Sequence, residues 1–195
     1  MTSRFWRAGS NNAVSPNCNF LTDVGGGGST TTWAAATDWF HTNSDLTTER
    51  TANTTVGYAP EYATKANTLG RVAYQIVAIG AAPINVIGMG KAGITTYPGN
   101  GAVDGIGWHA NGTIELNGSG GAETTAPWNT ADNPEIERVA GGIFKFYLGG
   151  TLVKTVDPAN PAYGYSGNLT GALFPIISSY NATGLKVSGD FSLWL

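Results

Sequence analysis

Two glycine pairs, Gly141-Gly142 and Gly149-Gly150, cut residues 134–156 into three short runs, 135–140, 143–148 and 151–156. Each pair can supply the positive backbone angles of a two-residue primed turn, so the segment reads as a three-stranded antiparallel meander. In its middle run Phe144, Phe146 and Leu148 share one face by the two-residue period, with Lys145 and Tyr147 on the other. The phenylalanine face is expected to point into a core.

Strand signals are dense from Arg71 onward. Val72, Tyr74, Ile76 and Ala78 alternate with Ala73, Gln75, Val77 and Ile79, a run apolar on both faces that predicts a central strand. A second strand is expected over 84–89. Residues 105–110 and 113–117 flank Asn111-Gly112, a strong hairpin signal for a type I′ turn. Two last strands, 172–180 and 185–195, are joined by residues 181–184 as their turn. Eight or nine strands in about 125 residues predict an all-β fold, an antiparallel β-sandwich or jelly roll, over 67–195. A chain of 195 residues suffices for one such core. Residues 1–66 lack sustained periodicity and are expected to form an irregular N-terminal extension, an arm laying its aromatics on the sandwich or on a partner.

Charged residues make up 12% of the chain, against about 25% in ordinary soluble proteins. A surface so poor in charge suits a protein packed into an assembly, or a secreted lectin. The ten basic residues are scattered, with no cluster to neutralise a row of phosphates, so no nucleic-acid partner is expected. Cys18 is the sole cysteine, which excludes a disulfide within one chain. No apolar stretch approaches 18 residues, so no helical membrane insertion is expected. Residues 1–7 lack the apolar core of a secretory signal.

No catalytic, cofactor-binding or metal-binding residues emerge. His41 and His109 belong to no metal-ligand spacing, no Gly-x-Ser-x-Gly elbow is present, and no Gly-Lys-Ser/Thr follows the glycine runs at 25–28 and 118–121. The candidate contact residues, for a partner or a glycan, are aromatics in or near expected loops and in the arm: Phe5, Trp6, Trp33, Trp39, Tyr97, Trp108, Trp128, Tyr163 and Tyr165. Loops 91–104, 118–133 and 157–169 are long for a sandwich, and long loops on a rigid scaffold carry contacts.

The segment Glu135-Ile136-Glu137-Arg138-Val139, then Phe144-Lys145-Phe146-Tyr147 and Gly150-Thr151-Leu152-Val153, resembles the meander of concanavalin-like and SPRY-like jelly rolls. Tyr97-Pro98-Gly99 followed by Gly105-Ile106-Gly107-Trp108 and Asn111-Gly112, and the later Leu173-Phe174-Pro175, are similar to further stretches of that superfamily. Such domains recur in bacteriophage tail and capsid-surface proteins, and Arg4-Phe5-Trp6 with its Gly/Thr-rich continuation resembles the openings of some of them. The resemblance implies a non-enzymatic virion structural protein of the capsid-decoration, head-fibre or short tail-fibre type. It would be assembled in the host cytoplasm, with other virion proteins and further copies of itself as partners. The alternative is a carbohydrate-binding lectin module that recognises a host surface glycan. Glycosidases of the same broad fold read Glu-x-Asp-x-x-Glu; here Glu135 is followed by Glu137 and Ala140, which leaves two carboxylates on a strand face and no third.

Overall fold

The computed structural model describes residues 31–51, 57–80, 84–100, 104–116, 123–181 and 183–194, all within one unit, Thr31–Leu195. Among them are thirteen strands: β1 (Trp39–Thr42), β2 (Thr47–Arg50), β3 (Tyr58–Tyr62), β4 (Gly70–Ala78), β5 (Asn85–Gly90), β6 (Gly105–His109), β7 (Thr113–Leu116), β8 (Glu123–Thr124), β9 (Pro134–Arg138), β10 (Phe144–Leu148), β11 (Thr151–Val156), β12 (Phe174–Tyr180) and β13 (Lys186–Asp190). They form two antiparallel sheets, seven strands in the order β1-β2-β13-β4-β9-β10-β11 and six in the order β3-β12-β5-β6-β7-β8. This is the expected antiparallel β-sandwich.

The meander lies at one edge of the seven-stranded sheet, with Phe146 opposite Ile136 on β9. Phe144 and Phe146 are fully buried, as their shared face predicts, and Phe146 meets Trp108 of the other sheet edge to face at 5.4 Å. Gly149 and Gly150 both have positive φ, 53° and 78°, between the paired Leu148 and Thr151, which is the two-residue primed turn. The first glycine pair behaves differently. Gly142 N–H bonds to Val139 C=O at 3.2 Å, so Ala140 and Gly141 are the central residues, and Gly141 (φ 84°, ψ 0°) holds the third position of a type II turn. At the Asn111-Gly112 hairpin only Gly112 has positive φ and its N–H bonds to His109 C=O, so Ala110 and Asn111 form the bend without the type I′ geometry.

Three further expectations are corrected. The extension does not reach residue 66: β1 and β2 continue the seven-stranded sheet past β13, β3 pairs with β12, and residues 31–51 and 57–66 are part of the sandwich. The portion over 1–30 lies outside the described residues. β4 is central, as expected, but it is not buried on both sides: Val72, Tyr74 and Ile76 are buried, while Gln75 and the apolar Val77 face outward, Val77 at 48% exposure. Finally, β12 and β13 are not a hairpin. β12 pairs with β3 and β5 in one sheet, β13 with β2 and β4 in the other, so the chain crosses between sheets after Tyr180.

The space between the sheets is not wholly apolar. Arg50, fully buried, donates to Ser179 C=O of the opposite sheet and faces Asp38 at 3.4 Å. Glu61 is also fully buried, receives a hydrogen bond from Thr48 Oγ1 at 2.6 Å and contacts His41 Nε2. These groups tie β2 to β3 and β12, since buried charge persists only with partners.

Both faces of β5 and β6 are buried. The inner side meets the core; the outer side is covered by described residues of the chain between them, Pro98 and Gly99 among them. Gly88 and Gly107 make this possible. A Cβ on Gly107 would stand 2.0 Å from Pro98 O, and one on Gly88 2.6 Å from Pro98 Cγ, so the loop lies flat on the sheet only over bare backbone.

Candidate functional site

A cavity of about 530 Å3 opens where the meander meets the chain running from β11 to β12. Arg138 at the end of β9 and the Gly141-Gly142 turn form one wall, Asp157 to Ala159 another, and Tyr165 to Gly171 the third. Its size falls in the range of small-molecule sites.

The loop that builds it is ordered by its own polar side chains. Asp157 Oδ1 accepts from Ala159 N–H at 2.9 Å, and Asn160 Oδ1 caps the short 3-10 turn Pro161–Tyr163 by accepting from Ala162 N–H at 3.0 Å. Gly164, at φ 58°, ends that turn. Asn168 Oδ1 accepts from both the N–H and the hydroxyl of Thr170, at 2.9 and 2.5 Å, and Asn168 N–H donates to Asp104 Oδ1 at 2.6 Å. Tyr163 OH donates to Glu123 at 2.9 Å, and Glu123 also pairs with Lys154.

Four consecutive carbonyls at the end of the loop are held by two cations. Arg138 donates to Leu169 O and to Gly171 O, the latter at 2.5 Å. Lys91 donates to Thr170 O and reaches Ala172 O at 3.4 Å. Burial lowers the Arg138 pKa, and its two carbonyl partners are what it has in place of water.

Tyr165 is half-buried along the wall. Burial and then Asp104 push its hydroxyl well above the usual tyrosine range. A Cβ on Gly167 would stand 2.5 Å from this hydroxyl oxygen, so the bare glycine is what lets the ring lie in place. The cavity thus presents a tyrosine, glycine backbone and the short polar side chains Asn168, Thr170 and Asp157 on a framework that is already hydrogen-bonded. Such a site loses little entropy on binding.

Of the aromatics singled out from sequence, the structure separates three groups. Phe5 and Trp6 lie outside the described residues. Trp33, Trp39, Trp108 and Trp128 are core residues, at 1%, 8%, 0% and 1% exposure, and are not available to stack on a ligand. Trp33 packs edge to face on Phe191 at 5.2 Å. Tyr97 is also buried, its hydroxyl donating to Glu115 at 2.8 Å. Tyr163 and Tyr165 remain, both on the expected contact loop, and Tyr165 lines the cavity. Sequence reasoning missed Arg138 as a loop clamp: the two-residue period puts it on the face of Ile136, but the carbonyls it reaches, at Leu169 and Gly171, lie far along the chain.

Glu135 and Glu137 do not border this cavity. They point to the outer face of the seven-stranded sheet, where Glu135 pairs with Arg71 and Glu137 accepts from Tyr147 OH at 2.6 Å. The Arg71 guanidinium lies 4.0 Å above the Tyr147 ring, which completes a surface network. Among the described residues no group of three or more His, Cys, Asp or Glu is placed to hold a metal ion, and no helix is long and apolar enough to cross a membrane.

No protein-family model matches the sequence, and no curated protein does. Solved structures do share the fold. The SPRY domain of human HERC1 superposes with a TM-score of 0.61 at 14% identity, covering 78% of this chain and 92% of that one. A human SPRY domain gives 0.59 at 13% identity over 86% and 100%. The TRIM65 PSpry domain gives 0.55 at 10% identity over 82% and 91%. The SPRY-like part of the resemblance is therefore a likeness of fold, with the same two-sheet sandwich.

Proposed function

We propose that this chain is a non-enzymatic binding module that recognises a carbohydrate in the cavity between the Gly141-Gly142 turn and residues 157–171. The observation that carries the reading is the construction of that cavity. It is of ligand size, walled by glycine backbone against which a sugar ring can lie, with one tyrosine and several short hydrogen-bonding side chains. The strand carboxylates Glu135 and Glu137 are engaged on the opposite face of their strand, which supports binding without hydrolysis. A glycan array followed by calorimetric titration of the strongest hit tests this. The wild-type chain should bind with a saturable isotherm, and Tyr165→Ala should weaken binding at least tenfold. A folded protein that retains no glycan, or a hit indifferent to Tyr165→Ala, would refute the assignment.

The carrier of such a module is, on this reading, a bacteriophage particle. Support comes from the opening residues Arg4-Phe5-Trp6, from the low charge of the chain and from large apolar side chains on the surface, Phe40 at 58% and Leu193 at 57% exposure. Assembly through such surfaces predicts a symmetric oligomer. Sedimentation of the full chain tests it: a concentration-independent monomer would contradict the assembly role while leaving the glycan site untouched.

A further inference from the structure

A second cleft, of about 150 Å3, lies on the outer face of the six-stranded sheet at the edge of the covering loop 91–104. Tyr97 reaches it from the loop; Asn85, His109, Thr113 and Glu115 reach it from β5, β6 and β7; Asn111 stands at its rim.

The chemistry of its walls is one-sided. Glu115 supplies a carboxylate that accepts from Tyr97 OH at 2.8 Å. Its pKa is held below the usual carboxylate range, first by His109, against the pull of partial burial, and then by Tyr97, so it is ionised at neutral pH. His109, 6% exposed, turns Nε2 toward Glu115 at 3.4 Å without making a hydrogen bond. Neither a lysine nor an arginine lines the cleft. Aromatic rings back it: Tyr97 meets His109 edge to face at 5.0 Å and Tyr58 at 4.5 Å, and Tyr58 meets Tyr180 at 4.8 Å.

We infer that this cleft binds the head group of an alkylammonium cation, with Glu115 as counter-ion and Tyr97 and His109 as its aromatic walls. A carboxylate beside a tyrosine and an imidazole, in a space that fits a few methyl groups, is an environment in which ammonium ions are held by charge and by attraction to the aromatic ring. A divalent metal would find one carboxylate and one imidazole, short of the three or more ligands it needs. The site is separate from the carbohydrate cavity and stands whether or not that reading holds.

Amide chemical shifts of the full chain, followed during titration, decide the matter. Tetramethylammonium is the free-cation probe, a peptide bearing trimethyl-lysine is the protein-borne one, and 3,3-dimethylbutanol is the neutral control of similar shape. Saturable shifts confined to residues 85, 97 and 109–115 with either cation, and none with the alcohol, are expected. The peptide binding more tightly than tetramethylammonium would assign the source to a modified protein tail, and the reverse order to a free amine. Glu115→Gln should weaken the cation at least tenfold. No saturation with either cation, equal binding of the alcohol, or full affinity in a folded Glu115→Gln protein would overturn the inference.

Discussion

Gly107 has no room for a side chain, because Pro98 O stands 2.0 Å from where its Cβ would be. Gly107→Ala must lift loop 91–104 or distort β6, an overpacking cost of about 1–3 kcal/mol that a denaturant midpoint will register. Glu61 is the second residue whose chemistry is set by its place. Burial, the dominant cause, raises its pKa from 4.5 to about 7 against the hydrogen bonds of Thr48 and His41. A carboxyl that is harder to ionise when folded keeps its proton in the native state between those values. Its contribution is therefore full below about pH 4.5, falls as pH rises toward 7, and is lost above. The loss is on the order of 3 kcal/mol, and Glu61→Gln should flatten unfolding free energy over this window and exceed wild type at pH 8. An unchanged slope in the variant would locate the pH dependence elsewhere. Neither residue stands out in the sequence. Gly107 sits in an ordinary Gly-Ile-Gly-Trp strand and Glu61 in a Tyr-Ala-Pro-Glu-Tyr run, and only the packing of a distant loop or sheet gives each its constraint. The tryptophans illustrate the same limit from the other side. A Trp near a turn can face solvent or fold back over the core edge, and local pattern does not distinguish these.

At the scale of elements, period and turn chemistry were most informative where strands are adjacent in sequence. The Phe144/Phe146 face and the Gly149-Gly150 turn follow directly from residue order. The pairing of β13 with β2 and β4 does not, because a four-residue link suits a hairpin as well as a crossing between sheets. The strands before residue 66 were unreadable for a related reason: β1 and β2 are four residues each, too short for a periodic signal, and their hairpin joins the sheet only through the pairing of β2 with β13 at the other end of the chain. The loop 157–171 depends on Arg138 in the same non-local way. Arg138→Met leaves Leu169 O and Gly171 O without their donor, a cost of about 2 kcal/mol. Hydrogen exchange should then speed up over 168–173 while protection in β9–β11 is retained. Uniform loss of protection across the meander would instead mean that Arg138 supports the sheet itself.

At the largest scale, the described residues form a sandwich whose two sheets were foreseeable from the sequence and whose cavity was foreseeable only as a long loop. The cavity gathers Arg138, Gly141 and Gly142 with Tyr165 to Gly171, residues brought together by the edge position of the meander. Likeness to SPRY domains at 10–14% identity fixes the architecture and leaves the ligand to the local chemistry. The most direct test is an amide shift map of the wild-type chain titrated with the glycan that an array selects. The cavity reading predicts saturable shifts at Gly141, Gly142, Asn168, Thr170 and Gly171, abolished by Tyr165→Ala. Shifts absent there, or centred on another face of the sandwich, would contradict it.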